Sequence, residues 1–180
     1  MIGRVKGRRH PLSTLSAVAA LLLTTLAGYR WMGPGDGADQ TVLNATASRL
    51  DQDLRESFPG SFAGLEGDDA DRGLIIYRQQ DVYLDRYVRV NAGAVPVQFR
   101  NAPSSLSDLT PLVDRVYADV AYWRERDIEI QYIGTRIDGS GVNVLLFRGD
   151  RAAATLAFRQ RYGDDRIKVV EPGGDIQLTN

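Results

Sequence analysis

The sequence predicts an α+β domain, with helices on one face of a mostly antiparallel sheet, carried behind an N-terminal transmembrane or signal-anchor helix. Three observations predict it. A basic head (Arg4, Lys6, Arg8, Arg9) precedes an uncharged, largely apolar run from Pro11 to Tyr29. Beyond it, apolar residues recur at helical spacing in long stretches, separated by short runs rich in Val, Ile, Leu and Tyr that read as strands. The order of the strands and the helices between them gives two-layer packing of the split βαβ kind.

Taken in order, residues 1–32 are the head and the apolar segment. A positive flank stays in the cytoplasm while the apolar run enters the bilayer, so everything after about residue 35 is expected outside the cytoplasmic membrane. Tyr29, Arg30 and Trp31 sit where interfacial anchors end a span, which favours a retained anchor. The alternative is a cleaved secretory signal, for which Thr25-Leu-Ala27 supplies a small-x-small site. Residues 33–40, Gly-Pro-Gly-Asp-Gly-Ala-Asp-Gln, read as a flexible stalk. Residues 41–180 are the extracytoplasmic domain.

Within that domain, Thr41 reads as an N-cap, and Leu43, Ala47, Leu50, Leu54 and Phe58 form one helical stripe ending before Pro59-Gly60. Ser61 to Gly73 reads as a loop with an acidic cluster, Asp68, Asp69 and Asp71, and Leu74–Tyr77 as a buried strand. Asp81–Asn91 reads as a short helix, and Val95–Phe99 as a strand that Pro96 confines to an edge or a strand start. Ser105–Arg126 is one long helix, opened by a capping box at Ser105–Asp108 and bent at Pro111. Ile128, Ile130 and Tyr132 alternate, Asp138-Gly-Ser-Gly141 turns, and Val142–Phe147 returns as the second strand of a hairpin. Arg151–Tyr162 is a helix stopped by Gly163, Ile167–Val170 a last strand, and Ile176–Asn180 a tail able to add a strand. No internal repeat is evident in the sequence.

Composition excludes more than it assigns. The chain holds 22 Lys plus Arg against 23 Asp plus Glu; five of the basic residues lie in the first 32, leaving 17 against 23 in the remainder. So acidic a domain is a poor fit for nucleic acid, whose binding rests on phosphate-neutralising cations. There is no cysteine, and the single histidine, His10, lies in the head. A Ser-His-Asp triad, a thiolate nucleophile and a His- or Cys-based metal site are therefore ruled out for the exported domain. Glu129, Asp138 and Glu171 are the carboxylates a polysaccharide hydrolase could use in pairs, but their placement on a strand, in a turn and at a strand end reads as solvated surface. The Asp68/Asp69/Asp71 cluster lacks the pattern of a defined Ca²⁺ loop. Gly33-Pro-Gly-Asp-Gly37 is not preceded by a strand and has no following Lys, so it is no phosphate cradle. Asn44-Ala-Thr46 fits a glycosylation sequon but falls on a helix. No catalytic residue, metal or cofactor is expected.

Ser61-Phe-Ala-Gly-Leu65, the acidic loop and Arg72-Gly-Leu-Ile-Ile-Tyr77 resemble the start of the pro-region modules of secreted bacterial chymotrypsin-fold proteases, the α-lytic protease and streptogrisin group. The sequel is similar: a short helix, Val95-Pro-Val-Gln-Phe99, a long helix and a hairpin around Asp138-Gly-Ser-Gly141, the likeness spanning about residues 60–172. The resemblance implies an α/β module that binds its protease through a sheet edge and a tail. That family's catalytic residues belong to a protease domain with no counterpart expected here, so none is carried over. The expectation is a membrane-anchored, non-enzymatic interaction module for an unidentified extracytoplasmic protein, with an exported carboxylate hydrolase as the alternative. Contact is expected by strand addition at Val95, Val97 and Phe99 or at Ile176 and Leu178, with Tyr122 and Arg124 as an outward-facing surface.

Overall fold

The structure, a computed structural model, describes residues 37–68 and 72–170. The order is α1 (Gly37–Ser57), β1 (Phe62–Asp68), β2 (Gly73–Arg78), α2 (Val82–Asn91), β3 (Val97–Asn101), α3 (Leu106–Ala118), α4 (Val120–Arg124), β4 (Glu129–Thr135), β5 (Val142–Arg148), α5 (Arg151–Tyr162) and β6 (Ile167–Val170). The protein is α+β, as its sequence predicts, but the single mostly antiparallel sheet is replaced by two small mixed ones. β1-β2-β3 form one and β4-β5-β6 the other. In each, the first pair is antiparallel and the second parallel. The reason is local: α2 and α5 lie between consecutive strands of one sheet, and a helical crossover returns the chain parallel.

The two sheets belong to two halves built alike, each with the order helix, strand, strand, helix, strand, the opening helix of the second being divided into α3 and α4. The likeness extends to irregularities. Phe62 opposes Arg78 and Gly64 opposes Tyr77, leaving Ala63 as an extra, bulged residue. Ile130 opposes Leu146 and Tyr132 opposes Leu145, leaving Gln131 in the same role; all four partners are displaced by 68 positions. In the parallel pairs, Leu74–Val97 answers to Val142–Ile167. The N–H of Leu74 donates to Pro96 O and that of Val142 to Arg166 O, both at 2.9 Å. At Gly73 and Gly141 an added Cβ would collide with those same two carbonyls. Asp81 caps α2 and Asp150 caps α5 through their side chains. Gly93 and Gly163, both with positive φ, turn the chain after those helices.

Each half has its own core. Leu43, Leu50, Leu54, Phe62, Leu74, Ile76, Leu84 and Val88 bury the first. Leu109, Val116, Trp123, Val144, Leu146 and Phe158 bury the second, with Trp123 stacked on Phe158 at 4.2 Å. Each such side chain contributes about 2 kcal/mol by leaving water. The halves meet where the β4–β5 turn, Arg136–Gly141, lies against the first half. An added Cβ on Gly64 would sit 2.5 Å from Ile137 O, and Gly139 (φ +70°) is pressed against Ser104 O and Ala102. Ser107 N–H to Pro59 O (2.9 Å) and Gln79 Nε2 to Asp108 Oδ2 (3.1 Å) tie α3 to the first half.

Other sequence expectations shift in detail. The loop expected over Ser61–Gly73 contains β1, whose Phe62, Ala63 and Leu65 are buried. α1 begins at Gly37, inside the stretch read as stalk. The long helix keeps its capping box at Ser105 and carries Pro111 inside, but it is interrupted at Asp119 and continues as the short α4. There the N–H of Asp119 turns to Val116 O, a tightened i−3 bond that ends α3. The basic head, the apolar segment and the tail lie outside the described residues. Among those described, no helix is long and apolar enough to cross a membrane.

Candidate interaction surface

β3 and β4 are sheet edges, and what they present differs. Along β3 the N–H of Leu74 donates to Pro96 O and the N–H of Ala102 donates to Arg78 O, so even-numbered residues turn their backbone toward β2. Val97, Phe99 and Asn101 therefore turn their N–H and C=O groups outward, away from the sheet. Their side chains do something else: Val95, Val97 and Phe99 are half-buried against the first core. The three residues expected at a contact surface thus sit on an edge whose side chains anchor it and whose backbone is the part presented.

Phe99 is held from two sides. The guanidinium carbons of Arg78 and Arg89 each lie 5.3 Å from its ring centre. Arg78 is buried, 9% exposed. It forks onto Asp85 (Nε to Oδ1 2.8 Å, Nη2 to Oδ2 3.1 Å) and donates to Asn101 Oδ1 at 2.6 Å. A two-point carboxylate partner and an aromatic face fix the guanidinium and, through it, the end of β3. On the opposite face the row is polar. Tyr77 Oη donates to Glu66 at 2.6 Å, Arg100 donates to Tyr77 Oη at 3.3 Å, and Gln98 donates to Asp68 at 2.7 Å. Burial first, and then the Glu66 carboxylate, raise the Tyr77 hydroxyl above its ordinary value. Arg78 and Arg89 escaped the sequence reading, though strand alternation places Arg78 on the face of Leu74 and Ile76, a signal of a buried charge.

Tyr122 is half-buried rather than outward-facing, packed against the second core. Its ring is sandwiched between the guanidinium groups of Arg126 and Arg161, at 3.6 and 3.7 Å. Arg161 forks onto Asp119 with two 2.7 Å bonds; Tyr162 Oη donates to Asp119 at 2.9 Å and accepts from Trp123 Nε1 at 2.8 Å. These bonds hold the Asp119 carboxyl below the usual range, with Arg161 the first cause. Burial pushes the Tyr162 hydroxyl up to about 12. The cluster is a clasp between the helix break and the end of α5.

Arg124 is exposed and lines a groove of about 270 Å³ with Val120, Ile128, Ile130 and Phe147 at the start of β4. A larger cleft of about 580 Å³ lies between the halves, lined by Arg55, Pro59, Pro111, Thr110 and Tyr132. Burial, and then Tyr117, raise the Tyr132 hydroxyl, while Arg55 pulls it down. Ile176, Leu178 and Glu171 lie outside the described residues, as do Asp69 and Asp71.

Of the carboxylates considered for hydrolysis, the two that are described, Glu129 and Asp138, do not converge. Glu129 opens β4 and is paired with Arg148 at 2.7 Å. Asp138 lies beyond the other end of that strand, where it accepts from Ser140 N (2.9 Å) and Oγ (2.6 Å). Nine residues of mostly extended chain put the two more than about 20 Å apart, too far to share a glycosidic bond. Among the described residues, no group of three or more acidic or histidine side chains could hold a metal ion. Compared with protein-family models and with curated proteins, the chain matches none.

Proposed function

We propose that this protein is a non-enzymatic interaction module, held at the outer face of the cytoplasmic membrane by its N-terminal segment, that takes an extended segment of an extracytoplasmic partner along β3. The observation that carries this reading is the outward-turned backbone of Val97, Phe99 and Asn101 on a strand held rigid by Arg78. An edge of that kind offers a row of donors and acceptors to an incoming strand. The half-buried Phe99 ring, fixed between two cations, keeps the edge in register without projecting into the space a guest strand needs. The domain's lack of histidine and cysteine supports a binding role over a catalytic one. The likeness to protease pro-region modules supports the same mode of contact.

The test is site-specific photo-crosslinking of the full chain in intact cells. A photoreactive residue at Gln98, exposed on β3, is compared with one at Tyr83, exposed on α2. The reading expects a discrete crosslinked protein from Gln98 and not from Tyr83, and activity outside the cytoplasm from a reporter fused after Asn180. Equal background at both sites, or a reporter active only in the cytoplasm, overturns it.

A further inference from the structure

We infer that the strand taken by β3 is acidic: two successive carboxylate side chains of the guest are met by Arg89 on one face of the sheet and by Arg100 on the other. This rests on the β3 reading above and adds the chemistry of the partner. Arg89 lies on α2 and is exposed, its guanidinium carbon 5.3 Å from the ring centre of Phe99. One turn earlier, at the spacing that suits a helical ion pair, Asp85 has both oxygens taken by Arg78. Arg100 is exposed on the opposite face, where it donates to the neutral hydroxyl of Tyr77 at 3.3 Å. The carboxylates of that face, Glu66 and Asp68, accept from Tyr77 Oη and Gln98 Nε2. Among the described residues, neither Arg89 nor Arg100 forms an ion pair.

The second half supplies an internal comparison. β3 maps onto β6 with a displacement of 70, from Val97 to Ile167. α2 maps onto α5 with the same displacement, its buried Leu84 and Val88 falling on Ala154 and Phe158, and Gly93 on Gly163. Arg89 then falls on Arg159, which is paired with Asp165 at 3.1 Å. The position of Asp165, just ahead of β6, is held ahead of β3 by Val95, half-buried against the first core. Arg100 falls on Val170, which is buried. The same scaffold therefore neutralises its helix cation from within in one half and leaves it to an outside carboxylate in the other.

Strand geometry brings such a carboxylate to it. A guest residue opposite Phe99 turns its side chain to the face of Phe99, with the two Cβ atoms about 5 Å apart, so an acidic one comes within reach of Arg89. Its neighbour turns to the other face, beside Arg100. The domain as a whole is acidic, but exposed charges more than about 8 Å away are largely screened at physiological salt. The two cations at the edge decide which strand is taken.

The probes are labelled synthetic peptides of alternating Thr and Val, with Asp-Glu, Asn-Gln or Lys-Lys at the centre. Each is irradiated with the full chain, held in detergent and carrying a photoreactive residue at Gln98. The inference expects the acidic peptide to crosslink about fivefold more than the Asn-Gln peptide, as two exposed ion pairs allow. It expects Arg89→Gln to bring that preference to about twofold or less. Arg89→Glu is expected to turn the preference towards the Lys-Lys peptide, and Arg159→Gln, the counterpart change, to leave it unaltered. Equal crosslinking of the acidic and Asn-Gln peptides, a preference that survives Arg89→Gln, or one lost equally with Arg159→Gln overturns the inference and leaves strand addition standing. Crosslinking of no peptide overturns strand addition itself. Links at Gln98 between two copies of the chain without peptide show the edge filled by a second copy, and overturn the acidic guest.

Discussion

Arg78 and Leu146 occupy the same position in the two halves: each follows the bulge of its sheet, opposite Phe62 in one and Ile130 in the other. Where the second half buries a leucine in its core, the first buries a guanidinium forked onto Asp85 and stacked on Phe99. The copies agree in backbone and differ in buried chemistry here and, in the opposite sense, at Ile75 and Asn143, equally displaced by 68 positions. At Arg78 the guanidinium braces the β3 edge from below.

The exchange can be made directly. Arg78→Leu is expected to destabilise the protein by about 2 kcal/mol, because Asp85, only 23% exposed at its side chain, is left without its cation. The double variant Arg78→Leu with Asp85→Leu is expected to recover most of that loss, since a well-packed apolar pair replaces an ion pair at little cost. Urea unfolding of the two variants checks both outcomes. A double variant as unstable as the single one would show that Arg78 contributes through Asn101 and Phe99 instead.

The clasp at the helix break gives the protein an alkaline limit. Burial is the main reason the Tyr162 hydroxyl is pushed up to about 12 from an ordinary 10. The folded state therefore holds that proton more tightly than the unfolded state does. Its contribution is complete below pH 10 and is lost between pH 10 and about 12. Tyr77, Tyr87 and Tyr132 are raised as well, so they add in the same direction. Tyr162→Phe is expected to make stability fall less steeply over that interval, followed by thermal unfolding at a series of pH values, at a cost of about 1 kcal/mol at neutral pH for the lost bonds to Trp123 and Asp119.

Asp119 sets the acid side. Its carboxyl is held low by Arg161 first, then by Tyr162, so the folded state favours the ionised form. Its contribution is present above the ordinary carboxylate value of 3.8 and disappears as pH falls through the lowered one. Asp119→Ala is expected to cost about 2 kcal/mol near pH 7, and the gap between the denaturant midpoints of wild type and variant is expected to narrow as pH falls below 3.8.

Glycines separate the turn that joins the halves from turns that do not. Gly93 and Gly139 both have positive φ, but nothing lies within 4 Å of an added Cβ at Gly93, while Gly139 is pressed against Ser104 O, Ala102 and Ala63. Gly93→Ala is expected to cost about 1 kcal/mol for backbone strain, and Gly139→Ala about 3, strain plus a forced separation of the halves. Denaturant titration of both variants distinguishes strain from contact.

The helices were legible in the sequence because their stripes and caps are local: Ser105–Asp108 and Gly163 mark ends that need no knowledge of the rest of the chain. β1 was not, because Gly64 and Gly67 break its pattern, and the reason for Gly64 is Ile137, 73 positions away. The duplication was hidden for a related reason. What the halves share in sequence are residues that backbone geometry demands, such as Gly73 and Gly141, Asp81 and Asp150, and Gly93 and Gly163, while their cores are filled with different apolar side chains. The β3 edge was read correctly as a strand, but its presented part is the backbone, which no side-chain pattern displays. Tyr122 was misread because an aromatic off the helical stripe gives no hint that two arginines, one on α5, cover it.

The central claim is that a partner is held by the outward N–H and C=O groups of β3. Val97→Pro removes one outward donor while leaving the bonds to β2, and an edge strand tolerates proline. In the Gln98 crosslinking assay on the full chain, this variant is expected to keep the wild-type melting temperature within a few degrees and to lose the crosslinked partner by about tenfold, as befits a lost backbone bond and a clash with the guest strand. A variant that folds normally and captures the partner undiminished would contradict strand addition at this edge.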